Sequence, residues 1–326
     1  MTDVFTPIPV FRSGHHQTIV GYLLRRWQRA LQATLHRLVL PDGDCLHIHD
    51  SIPTSWQPGQ PIIMIVHGLG GSHTSGSVLR LAWEFFRHRF RTVRINLRGS
   101  GESLPEAKKP YHAGCSADIV HVLETVNKWS PTSPLFLIGL SLGGNIVLKL
   151  AGEVEQQQFP QLKKIYAVSP PVDLEKCSQL LSLPKNAVYE KRFVAELIEM
   201  AQQRARFHQQ QLPELSRSLT LRQFDDIYTA PSIGYSGVEE YYEKASSRHV
   251  LSRITIPTHI LSAEDDPMID PIPIRESPRS RSVTIQLTPF GGHLGFISRP
   301  GKGGWYWLEK QLLQQITSTL QNEGSL

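Results

Sequence analysis

The pentapeptide Gly139-Leu140-Ser141-Leu142-Gly143, inside the run IGLSLGGN, sets a serine between two glycines. It follows an apolar strand-like stretch, PLFLIGLS, and opens a helix-like one, the context that the G-x-S-x-G motif requires. On so tight a turn the serine is held in strained backbone geometry, and the glycines let strand and helix approach each other. A serine hydroxyl is a poor nucleophile until a base takes its proton and a third group orients that base. Both types occur further along the chain. The carboxylates Glu264, Asp265 and Asp266 stand just past the strand-like PTHILSA, and His293 follows Pro289-Phe290-Gly291-Gly292, just past SVTIQLT. The glycines around His293, with Gly295 beyond it, give a loop able to reach the serine. At this level any of the three carboxylates could orient the histidine.

Acyl transfer also needs donors aimed at the oxygen that becomes negative in the tetrahedral intermediate. The loop Val66-His67-Gly68-Leu69-Gly70-Gly71-Ser72 and the start of the helix after Ser141 supply backbone N–H groups, and the expected donors are those of Leu69 and Leu142. Neither this loop nor Arg98-Gly99-Ser100-Gly101 completes a phosphate-binding motif. His15, His16, His47, His49, His67, His73, His112 and His259 show no convincing metal-ligand spacing. Cys45, Cys115 and Cys177 are scattered and odd in number, which suggests neither a disulfide framework nor a zinc site. No cofactor and no metal are expected.

These residues need a scaffold that delivers them from distant parts of the chain. Apolar runs such as IIMIV and LFLIG suit strands buried on both faces of a parallel sheet, and the stretches between them suit crossover helices. LHRLVLP and DCLHIHDS, around Pro41-Asp42-Gly43-Asp44, read as two antiparallel strands. The pattern then alternates through RTVRINLRG, the helical SADIVHVLETVNKW, PLFLIGLS, a helix from about Leu142 to Glu153, KKIYAVSP, PTHILSA, SVTIQLT and a closing helix in GWYWLEKQLLQQITSTL. This predicts an α/β fold with about eight strands. Residues 170–250 carry no buried-strand signal and read as a helical cap inserted into a core formed by residues 1–169 and 251–326.

The chain has 326 residues, of which 40% are hydrophobic and 19% charged, a globular balance. The net charge of +5 is spread along the chain, so nucleic acid is not an expected partner. Arg25, Arg26, Arg29 and Arg37, with Leu23, Trp27, Leu31 and Leu35, predict a basic amphipathic helix in LLRRWQRALQATLHRL that packs on the body, with weak membrane-surface contact as its other use. No secretory signal or long apolar span is visible, and a soluble, cytoplasmic protein is expected.

With these residues assembled, the sequence resembles the α/β-hydrolase superfamily and, within it, the AB hydrolase-4 group of YheT-like bacterial esterases and Embryogenesis-associated-protein-8-like plant proteins. The likeness runs through Gly14-His15-His16-Gln17-Thr18-Ile19, Pro41-Asp42-Gly43-Asp44, His67-Gly68-Leu69-Gly70-Gly71, Asn96-Leu97-Arg98-Gly99-Ser100-Gly101 and Tyr111-His112-Ala113-Gly114, to the serine turn, Asp265-Asp266-Pro267 and Gly291-Gly292-His293. His16 departs from it, standing where a leucine is expected. The resemblance implies the chain order Ser141, acid, His293. It also implies Asp266 as the acid, since the carboxylate usually stands shortly before an apolar pair, here Met268-Ile269, with Asp265 as runner-up. The implied activity is that of a cofactor-independent carboxylesterase acting on acyl or lipid-like esters. The same acyl-enzyme could serve an acyltransferase, and a non-catalytic binding protein on the same fold is a third reading.

Overall fold

The computed structural model describes residues 5–24, 30–301 and 304–322. An amino-terminal helix, α1 (Gly14–Leu23), precedes a hairpin of β1 (Thr34–Val39) and β2 (Cys45–Ser51). There follow β3 (Ile62–Val66), α2 (Gly76–Arg87), β4 (Arg91–Asn96), α3 (Ser116–Trp129), β5 (Leu135–Leu140), α4 (Leu142–Glu153) and β6 (Leu162–Val168). After the helices that follow β6 come β7 (Thr258–Ala263) and β8 (Val283–Thr288). The eight strands form one sheet in the order β1-β2-β4-β3-β5-β6-β7-β8, antiparallel at the β1-β2 and β2-β4 pairings and parallel elsewhere.

The apolar runs become central strands because both sheet faces are covered. Ile62, Met64 and Val66 of β3 enter one hydrophobic cluster, while Ile63 and Ile65 enter the other on the opposite face. Leu135 and Leu137 of β5 divide from Phe136, Ile138 and Leu140 in the same way. Such two-sided burial fixes strand register, since a one-residue slip would exchange the two cores.

Between β6 and β7 the chain is helical: α5 (Leu174–Leu181), the long α6 (Ala187–His208), α7 (Leu221–Phe224), which passes through a π-turn at Asp225–Thr229 into α8 (Ala230–Ser232), and α9 (Val238–Ala245). Beyond β7 lie α10 (Pro271–Glu276), the small hairpin β9 (Ile297–Gly301) and β10 (Gly304–Tyr306), and α11 (Trp307–Asn322).

The basic helix expected over Leu23–Leu38 is corrected by the fold. The helix lies earlier, at α1, started by Ser13, whose side chain accepts the His16 N–H at 3.2 Å. Arg25, Arg26, Trp27 and Arg29 lie outside the described residues, whereas Leu35 and Arg37 belong to β1. The four-residue leucine spacing that suggested a helix coincides with a two-residue alternation, and pairing of Thr34–Val39 with Cys45–Asp50 decides for the strand. Arg37 therefore contributes to no basic helix; it pairs with Glu106. The closing helix likewise begins at Trp307, because Gly304–Tyr306 pairs with β9. No helix among the described residues is long and apolar enough to cross a membrane.

Burial also sets protonation states. His67 and His259 are both pushed down to about 4 by burial, while the buried Asp225 carboxyl is pushed up to about 6 by the same cause. For the histidines, stability is lost as pH falls from 6.5 toward 4, because the unfolded chain takes up their protons first. Asp225 acts in the opposite sense over the same window. His112, pushed down to about 4, and His49, pushed down to about 3, act in the same sense as His67 and His259, so the histidines outweigh the one carboxyl near pH 5 and stability falls by more than about 1.4 kcal/mol per pH unit of acidification. Denaturant unfolding at pH 7, 6 and 5 checks this, and stability constant or rising toward pH 5 would contradict it.

Candidate active site

β5 delivers Ser141 at its carboxyl end, and α4 begins at the next residue. The serine has φ +53° and ψ −121°, a strained conformation for a side chain bearing a β-carbon. Close packing holds it there. A β-carbon on Gly139 would come within 2.3 Å of the Gly143 carbonyl oxygen, and one on Gly143 within 2.5 Å of the His67 carbonyl oxygen. The Ser141 N–H is tied to the Val168 carbonyl at 2.8 Å.

His293 sits in a loop with four left-handed neighbours, Gly291, Gly292, Leu294 and Phe296. Its Nε2 lies 2.9 Å from Ser141 Oγ and its Nδ1 2.9 Å from Asp266 Oδ2. The Asp266 side chain is fully buried, and its other oxygen accepts the N–H groups of Met268 and Ile269 at 2.9 and 3.2 Å. A carboxylate so satisfied is fixed in place, and as an acceptor it favours the tautomer with the proton on Nδ1, which leaves Nε2 able to accept a hydrogen bond from Ser141 Oγ. Asp265 does something else. Its Oδ1 accepts the Gly292 N–H at 2.9 Å, so it braces the histidine loop, and burial raises its carboxyl above the ordinary range. Glu264 is turned outward to Arg275, at 2.5 Å.

Leu69 and Leu142 border the same cavity as Ser141, and their N–H groups have no hydrogen-bond partner among the described residues. The Leu69 loop is anchored on both sides. His67 Nδ1–H donates to the Gly68 carbonyl at 2.7 Å and Nε2 accepts the Leu97 N–H at 3.2 Å, while the Gly70 N–H reaches Tyr111 Oη at 2.7 Å. Since burial holds His67 neutral, it can accept and donate at once.

One part of the site was not assigned from sequence. Thr18 Oγ1 accepts the His293 N–H at 2.8 Å, and Gln17 clasps Ile297 by both its N–H and its carbonyl, at 2.7 and 3.1 Å. Helix α1 thus positions the histidine loop. The signal was the Gly14–Ile19 segment in the resemblance, which carried no stated role. His16 is exposed, so its departure from the expected leucine disturbs no packing.

Two cavities meet at Ser141. An apolar one of about 100 Å³ runs beneath the helices after β6, bordered by Leu181, Leu197 and Tyr228. A wider cleft of about 440 Å³ passes between α1 and α6, bordered by Tyr22, Val188 and Arg192. Leu69, Ser141, Phe193, Met268 and His293 border both. Leu181, Val188, Tyr189, Phe193, Leu197 and Tyr228, all from the helical segment after β6, border one cavity or both, whereas Leu180 borders neither.

Residues 61–300 match the family described as the alpha/beta hydrolase fold. The YheT protein of Escherichia coli (strain K12) is 31% identical over 97% of this chain and 94% of its own. The chain belongs to the α/β-hydrolase family. Its resemblance to the AB hydrolase-4 group holds through that relative. A monoacylglycerol lipase of Saccharomyces cerevisiae is 27% identical over 76% of this chain and 57% of the lipase, so the match spans little more than half of that protein. Among solved structures, the esterase Pf2001 of Pyrococcus furiosus superposes with a TM-score of 0.57 at 14% identity, covering 90% of this chain and 93% of that one, a likeness of fold.

Proposed function

We propose that this α/β-hydrolase cleaves carboxylic esters of acyl or lipid-like acids through a serine acyl-enzyme. The observation that carries this reading is the relay of Ser141, His293 and Asp266 at 2.9 Å per step, opening where the two cavities join. His293 takes the serine proton as Oγ attacks the ester carbonyl. Asp266 stabilises the imidazolium. The developing oxyanion is received by the Leu69 and Leu142 N–H groups, each such donor being worth roughly 3–4 kcal/mol in the transition state. Collapse expels the alcohol, protonated by His293, and water repeats the sequence on the acyl-enzyme. The lipase name of the yeast relative agrees with an acyl substrate.

In this reading residues 170–250 act as a cap whose helices wall the apolar cavity, which takes the acyl chain, while the wider cleft takes the alcohol portion. Leu197→Phe, which fills the apolar cavity, is expected to lower hydrolysis of octanoyl relative to acetyl esters by roughly tenfold or more, the scale set by one or two displaced methylenes. Turnover of p-nitrophenyl esters across acyl lengths tests both statements. No turnover of any ester would remove the proposed activity, and an unchanged length profile in the variant would place the acyl chain elsewhere.

A further inference from the structure

Cys45, His47 and His49 alternate along β2, so the two-residue period of a strand puts all three on one face. The segment Gly101–Glu106, after β4, lies beside that face and brings Glu106 to it. A ligand atom from each of Cys45, His47 and Glu106 lies within 4.8 Å of the others, and Cys45 and His47 are each 4% exposed. Both ring nitrogens of His47 are buried without a hydrogen-bond partner. A buried polar atom left so costs about 1–3 kcal/mol. Nε2 is 3.3 Å from Glu106 Oε1 but poorly aligned for a hydrogen bond. That separation equals the edge of a tetrahedron with metal–ligand bonds of about 2.0–2.1 Å, roughly 3.4 Å.

We propose that Cys45, His47 and Glu106 bind a divalent cation of the zinc type through sulfur, nitrogen and oxygen, with water in the fourth position. This donor set suits a borderline-soft ion better than calcium or magnesium. Arg37 already neutralises Glu106 by holding Oε2 at 2.7 Å, which leaves Oε1 free for the ion. The neighbouring trio of His47, His49 and Glu102 is also within reach of one ion. It is the poorer site, because Glu102 is exposed, its oxygen is 4.0 Å from His49, and the Arg94 guanidinium lies beside His49 on the same face. On binding, the Cys45 S–H bond breaks, the sulfur keeps the electron pair and donates it to the metal, and one proton passes to solvent. The ion would tie β2 to the segment after β4. The site is independent of the ester chemistry.

Metal-free full-length protein dialysed against Zn²⁺ alone is expected to retain one zinc per chain by elemental analysis. Co²⁺ in its place is expected to give a near-ultraviolet thiolate band. Cys45→Ser should abolish that band while Cys115→Ser, at a buried thiol elsewhere, keeps it. Glu106→Gln, at the half-buried end of the site, leaves β2 untouched and should weaken zinc binding about tenfold or more. His49→Gln should retain it. The proposal is overturned if the wild-type chain retains no zinc, if Cys45→Ser and Glu106→Gln bind zinc undiminished, or if binding depends on His49 and Glu102 instead.

Discussion

Ser141→Ala is expected to lower kcat/KM for ester hydrolysis by about 10⁴-fold or more while the protein remains folded. The loss follows from geometry. Oγ is the atom 2.9 Å from His293 Nε2, and alanine leaves that base with no proton to take. The cost in stability should be small, since alanine meets the same left-handed backbone strain as serine and gives up one short side-chain bond. Steady-state kinetics on a short activated ester, with thermal unfolding of both proteins, separate the two effects. A folded variant with near-wild-type turnover would assign the nucleophile to another residue.

Asp266→Asn is expected to have the second largest effect, a drop of about 10⁴-fold in kcat. Asparagine cannot stabilise the imidazolium, and its amide can turn a donor toward Nδ1 and so favour the tautomer that no longer accepts the serine proton. The adjacent Asp265→Asn should cost much less. Its carboxylate holds the Gly292 N–H rather than His293, so it acts on where the loop sits and not on the proton itself. An asparagine oxygen can still accept that N–H. Kinetics on both variants decide the matter, and the reverse order of effects would make Asp265 the acid.

The sequence shows the sheet core well because its strands answer to a local rule. A run such as IIMIV, apolar at every position, can be satisfied only where both faces are covered, and β3 is buried at all five residues. The serine turn is legible for a similar reason, since a β-carbon on Gly139 would strike the Gly143 backbone within the pentapeptide itself, and one on Gly143 would strike the backbone at the end of β3. What the sequence hides is settled by distant partners. Leu35 and Arg37 fit a helix or a strand equally well until Cys45–Ser51 pairs alongside. The roles of Gln17 and Thr18 exist only because α1 packs on a loop from the other end of the chain. Asp265 and Asp266 are neighbours of one type, and their different duties come from the way the turn after β7 aims each side chain. Cys45, His47 and Glu106 carry no metal-ligand spacing, because the third member arrives on a segment beyond β4.

The claim that Ser141 is the activated nucleophile is tested most directly by treating the wild-type protein with a fluorophosphonate and mapping the adduct by peptide mass spectrometry. The expected result is one phosphonyl group per chain, on the peptide that holds Ser141, formed far more slowly in Asp266→Asn. An adduct on a different serine, or no adduct on a folded protein that hydrolyses esters, would contradict it.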